Sequence, residues 1–130
     1  MAAPLSTVVI VSYGIAHHDA PPALRPVLVD ATPLPRPAAA SRPGQQLGGR
    51  DPAIRRSITH SPEGRLVVGR ALDRIRQRIG PGGQVDVHVR SPDGRYRAPA
   101  VAEEIAEQLR ALGVPVRITH LGRPDPPASR

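Results

Sequence analysis

The chain has no cysteine, lysine, phenylalanine or tryptophan, and each absence removes some chemistry. Without cysteine there are no disulfides, no thiolate metal sites and no thiol catalysis, although the redox compartment stays undecided. Without lysine there is no Walker P-loop, whose Lys must reach the transferred phosphate, and no Schiff-base mechanism. Tyr13 and Tyr96 are the whole aromatic complement, so single-stranded bases find no stacking platform. No apolar run approaches the roughly 20 residues that cross a bilayer, and residues 1–6 lack the basic-then-apolar layout of a signal peptide. A soluble, cytoplasmic protein is expected.

The 130 residues suffice for one domain with a core of Val, Leu and Ile. The 17 Pro and 12 Gly concentrate in residues 20–49 and after Gly122, which read as ordered loop and frayed tail. Expected strands cover residues 7–12, 27–30, 85–90 and 114–119. Expected helices cover 52–59, 62–79 and 98–112. Ser61 before Pro62 and Glu63 is a good helix start, and residues 80–83 are a firm stop. The order implies a single α/β domain over residues 7–122, with a mostly parallel sheet of about four strands flanked by helices. Residues 1–6 read as an N-terminal tail and 123–130 as a disordered C-terminal tail. Residues 85–119 should form a right-handed βαβ crossover.

The most informative stretch is residues 84–104, QVDVHVRSPDGRYRAPAVAEE. Val85, Val87 and Val89 share one face of a strand while Asp86, His88 and Arg90 take the other. Ser91, Pro92, Asp93 and Gly94 stop the strand, because Pro lacks a ladder donor and Asp-Gly favours a turn. Beyond Arg97, the positions Ala98, Val101, Ala102, Ile105, Leu109 and Leu112 line one side of a helix, and Gly113 caps it. The first turn of a helix carries N–H groups without intrahelical partners and a partial positive charge, which together suit a phosphate or carboxylate. Arg97 stands where a guanidinium can close such a site with two bonds. Ser91 and Arg97 enclose five residues, the spacing of the C-x5-R loop of cysteine phosphatases with a hydroxyl in place of the thiolate. A serine there, with no adjacent base, can hold phosphate but attack it poorly. The plain alternative is an ordinary strand-to-helix turn with a solvated Arg.

Over most of its length, from about Val9 to Arg123, the chain resembles the C-terminal domain of the RapZ family of RNase adapter proteins. The family's C-T-G-G-x-H-R-S-V-A-I-A-E run is matched by S-P-D-G-R-Y-R-A-P-A-V-A-E, and its S-F-G by Ser12, Tyr13 and Gly14. Its F-D-V-R-F-L-P-N-P run is similar to residues 28–37, its T-G-L-D to Gly48, Gly49, Arg50 and Asp51, and its closing V-x-V-x-H to residues 116–120. The departures are Ser91 for Cys, Pro92 for Thr, Asp93 for a loop Gly, Tyr96 for His and Ala38 for a second His. Asp93 adds negative charge beside an anion site and Pro92 removes a donor, so ligand affinity or identity is expected to differ.

The resemblance implies a stand-alone domain lacking the N-terminal P-loop domain of full-length RapZ. It also implies binding of a phosphorylated small molecule of the amino-sugar phosphate type, and contacts with RNA and a ribonuclease or regulatory protein. Asp30, Ser91, Asp93, Gly94, Arg95, Tyr96 and Arg97 are the ligand-binding candidates, with Tyr13, Gly14 and His120 at the border. The net charge of +7 also invites RNA, and Arg70, Arg74 and Arg78 form an i, i+4, i+8 stripe able to follow phosphates. Its alternative is a solvated helix face. Of the histidines, His17 and His18 with Asp19 fit known zinc patterns loosely, so no metal is expected. His60 suits a helix junction, and His88 a sheet face. The expected function is a non-catalytic, cofactor-free binding domain acting as a regulatory adapter. The alternatives are a phosphatase-like hydrolase and a pure protein-interaction module.

Overall fold

Alternation of apolar and mixed side chains produces four strands. They are β1 (Thr7–Gly14), β2 (Val27–Asp30), β3 (Gln84–Ser91) and β4 (Val116–His120). Three helices complete the fold: α1 (Pro52–Thr59), α2 (Pro62–Arg76) and α3 (Arg97–Ala111). The computed structural model describes residues 4–37 and 48–121; Ala38 and residues 123–130 lie outside them. All strands pair in parallel in the order β2-β3-β1-β4. The chain is thus a single α/β domain with an all-parallel four-stranded sheet and three helices.

Each helix starts where a side chain or ring suits its first turn. Asp51 Oδ2 accepts from Ile54 N at 3.2 Å, and Ser61 Oγ accepts from Gly64 N at 3.0 Å, with Pro52 and Pro62 at the first helical positions. α3 packs on β1, β3 and β4, α2 packs on β2, and the three helices pack on one another, so they form one layer on one sheet face. The core lies between, where Val8, Ile10, Val27, Val87 and Val89 meet Val101, Ile105 and Leu109, all fully buried.

β3 and β4 are joined by α3 as expected, but β1 lies between them, so the crossover skips a strand. The β1-to-β2 connection, residues 15–26, moves across the sheet in the opposite direction. The right-handed rule therefore sends it over the face away from the helices, and Tyr13 and His88, each 3% exposed on that face, agree.

Two boundary differences bear on the candidate residues. β1 continues through Tyr13 and Gly14, which pair with Arg90 and Ser91. The helix expected to reach residue 79 ends at Arg76, and Arg78 N bonds to Ile75 O in a following turn. The ring of Pro81 would clash with the carbonyl of Gln77 in a continued helix, which explains the earlier stop. Arg78 is therefore off the helix that was to carry the third Arg of the stripe. Ser6 is tied down ahead of β1, its Oγ donating to Gly82 O at 2.7 Å. Among the described residues no helix is long and apolar enough to cross a membrane.

Candidate functional site

The sheet order fixes where a crevice belongs. After β1 the chain moves towards β2, and after β3 it moves towards β4, so adjacent strands β1 and β3 send their connections past each other in opposite directions, over opposite faces of the sheet. Ligands of open parallel sheets sit outside the carboxyl ends of strands at such a point.

The two loops at this point are bound to each other. Ile15 N donates to Ser91 O at 2.9 Å and Ala16 N to Pro92 O at 3.0 Å. Gly14 and Gly94 meet backbone to backbone: a Cβ on Gly14 would stand 2.4 Å from the Asp93 carbonyl, and one on Gly94 2.4 Å from Gly14 N. Gly94 also has φ of +71°, which glycine adopts without cost. Two further segments close the neighbourhood, with Ala31 N donating to Arg90 O at 2.8 Å and Gly49 N to Arg95 O at 2.8 Å.

Within the 91–97 loop the polar groups turn inward. Ser91 is fully buried, and its Oγ accepts from Gly94 N at 3.2 Å and Ala98 N at 3.3 Å. It thereby caps α3, for which Tyr96 at the N-cap position supplies no side-chain bond. Asp93 Oδ1 accepts from Arg95 N at 3.1 Å. Two of the first-turn positions expected to offer donors to an anion do not. Ala98 N–H is taken by Ser91, and Pro99, the third helical residue, has none.

Arg97 is partly buried, and its Nη1 donates to Thr32 O at 2.8 Å and Leu34 O at 3.5 Å. It pins the segment after β2 across the loop while its other donors remain for a second acceptor. The Arg95 guanidinium stands 5.4 Å from the centroid of the buried Tyr96 ring. Asp30 Oδ1 accepts from Thr32 N at 3.0 Å. Burial pushes its carboxyl up, but the Thr32 hydrogen bonds and the Arg90 and Arg97 charges outweigh this and hold it below the ordinary 3.8.

The border residues separate. Gly14 lies in the loop contact. Tyr13 points to the sheet face without helices, its ring edge-on to His88 at 6.1 Å between centroids. Burial lowers the His88 pKa below 6.5 against the opposing pull of Asp86. His120 is at the end of β4, beneath α3. Its Nδ1 is 2.5 Å from Ser12 Oγ and its Nε2 is 2.7 Å from Glu103 Oε2. The His120 hydrogen bond holds the Glu103 carboxyl below 4.5, helped by Arg50 and Arg55 and opposed by burial. This Ser-His-Glu chain has the connectivity of a hydrolase relay, but Ser12 is fully buried, so its hydroxyl meets no substrate.

Thr32, Glu103 and Ser12's pairing with His120 had no local sequence signal. Their roles arise only when β1, β4 and α3 are brought together. Of the expected Arg stripe, Arg74 Nη1 donates to Leu28 O at 2.7 Å and Arg78 Nη1 to Arg25 O, while Arg70 is exposed. A cleft of about 340 Å³ lies elsewhere, in the helical layer, lined by Thr59, His60, Arg65, Leu72, Glu104 and Gln108. Among the described residues no cluster of three His, Asp or Glu is placed to hold a metal ion.

No protein-family model matches the chain. A nucleotide-binding protein of Rubrobacter xylanophilus is 36% identical to it over 112 residues, 81% of this chain and 35% of that relative. The chain thus spans about a third of the relative's length.

Proposed function

We propose that this chain is a non-catalytic binding domain, related in design to the C-terminal domain of RapZ, that takes a phosphorylated small molecule at the β1/β3 switch point and serves as a regulatory adapter. The observation that carries this reading is the switch itself. It joins two loops over the sheet's carboxyl edge, with Arg97 held across their mouth by Thr32 and Leu34. Arg90, Arg95 and Arg97 outnumber Asp30 and Asp93 there, which favours an anion. The nucleotide-binding name of the Rubrobacter relative supports a phosphate-bearing ligand. The RapZ resemblance narrows the class to amino-sugar phosphates.

The absence of catalysis follows from the hydroxyls. Ser91 Oγ already accepts two loop N–H groups, Ser12 Oγ is buried against His120, and the chain offers no thiol or amine nucleophile. With Ala98 N–H committed and Pro99 lacking one, binding rests mainly on Arg97, whose charge-assisted pair contributes about 1.5–3 kcal/mol. Together with about 1–2 kcal/mol from loop N–H groups that the ligand can reach, this gives an affinity of about millimolar.

Calorimetry with glucosamine phosphate, a nucleoside monophosphate and unphosphorylated glucosamine tests this, alongside turnover of an aryl phosphate. Binding confined to the phosphorylated compounds, without turnover, is expected. Equal heat from unphosphorylated glucosamine, or turnover abolished by Ser91→Ala, would refute it.

A further inference from the structure

Helix α2 has a glycine at its midpoint, Gly69, where glycine weakens a helix relative to alanine. No close contact requires it, since a Cβ there would have nothing within 4 Å. Gly64, in the first turn of the same helix, is the opposite case: a Cβ on it would stand 2.1 Å from Ile58 O. Gly69 borders the cleft of about 340 Å³ in the helical layer, so a long side chain at this position would fill it. Val68 and Leu72, 3% and 5% exposed, give the cleft an apolar floor, and His60, Arg65, Glu104 and Gln108 give it polar walls.

Charge on these walls is partly matched and partly open. Glu104 Oε1 accepts from Arg55 Nη2 at 3.0 Å and its Oε2 from Gln108 Nε2 at 2.9 Å, so both carboxylate oxygens are engaged. Burial pushes this carboxyl up, but the Gln108 and Arg55 hydrogen bonds and the Arg55 charge outweigh it and hold the group below the ordinary 4.5. Among the described residues, the side chains of Arg65 and His60 have no hydrogen-bond or ion-pair partner. A second cleft of about 280 Å³ shares His60 and Glu104 with the first and adds Arg55, Arg56 and Glu107. Across the two, three Arg face two Glu, which leaves one positive charge unmatched.

We propose that this cleft binds a small monocarboxylate with an apolar body, its carboxylate paired with Arg65 and His60 and its apolar part over Val68, Gly69 and Leu72. The site shares no residue with the β1/β3 switch point and needs no ligand there. An apolar floor with a few placed polar groups, in a volume of about 300–1,000 Å³, is the ordinary form of a small-molecule site. One negative charge matches what the walls leave open, whereas a phosphate dianion would add excess charge beside Glu104 and Glu107. The planar guanidinium of Arg65 suits a carboxylate, and the floor suits carbon more than the hydroxyls of a sugar.

Backbone amide resonances of the isotopically labelled full chain, titrated with 4-phenylbutyrate, octanoate and indole-3-acetate to about 10 mM, test the proposal. At least one carboxylate should give saturable shifts at His60, Arg65, Gly69 and Gln108, with a Kd of about 0.1–1 mM. The alcohol that matches it should bind at least about tenfold more weakly, and acetate should leave these residues unmoved. In Arg65→Gln, at an exposed position, the carboxylate should lose its advantage over the alcohol while the melting temperature stays the same. Gly69→Ala should raise the melting temperature by about 3–6 °C through helix propensity alone. Gly69→Met should also raise it, yet abolish binding by filling the cleft. The proposal is overturned by any of four results: no saturable shift from all three carboxylates, equal binding of acid and alcohol, undiminished binding by Gly69→Met, or shifts spread over surfaces outside the cleft.

Discussion

Single residues matter most where backbone contacts leave no space for a side chain, as between Gly14 and Gly94. Gly94→Ala must place a Cβ at left-handed φ, costing about 1–2 kcal/mol, and must also displace Gly14 N. Gly113 has φ of +82° and open space where a Cβ would stand, so Gly113→Ala should show the conformational cost alone. Urea denaturation should therefore rank Gly94→Ala well below Gly113→Ala, and equal losses would mean that the two loops do not touch. Acid should destabilise the fold in two windows. His88 has a folded pKa below its ordinary 6.5, so below pH 6.5 the unfolded chain binds the extra proton and stability falls. Glu103 has a folded pKa below 4.5; its contribution is complete above pH 4.5 and disappears as pH falls through the lowered value. Denaturation curves from about pH 8 to 3 should show both slopes. His88→Gln should flatten the first and Glu103→Gln the second.

Among the elements, strands were legible because alternation of valines is a local signal. β2 and α1 have the boundaries expected from sequence, and β3 extends one residue further at each end. Strand order was not legible, since nothing near Val85 or Val116 says that β1 will lie between β3 and β4. The destinations of polar side chains were hidden for the same reason. Ser91 reads as a ligand in its loop, yet its hydroxyl caps α3. Replacing it by alanine leaves Gly94 N and Ala98 N without their acceptor, and should cost about 1–3 kcal/mol in thermal or chemical unfolding. The stripe is a parallel case, because Arg74 and Arg78 hold the strand and the segment before it as well as carrying charge. If RNA binds this face, the triple Gln variant of Arg70, Arg74 and Arg78 should flatten the slope of log affinity against log salt by about two to three. It should also lose stability that Arg70→Gln alone does not. An unchanged slope would identify the stripe as a structural tie and solvated surface.

For the whole molecule, the proposed ligand site rests on the sheet order. β1 and β3 send their connections in opposite directions, and the chain's motifs from Ser12 to Gly14 and from Ser91 to Arg97 converge there. The cleft of about 340 Å³ among the helices is the competing location, lined by His60, Arg65 and Gln108. Titrating isotopically labelled protein with glucosamine phosphate, and following backbone amide resonances, distinguishes the two most directly. The account predicts shifts concentrated at Gly14, Thr32, Asp93, Arg95 and Arg97. Shifts confined to Thr59, His60, Arg65 and Gln108, or none at millimolar ligand, would contradict it.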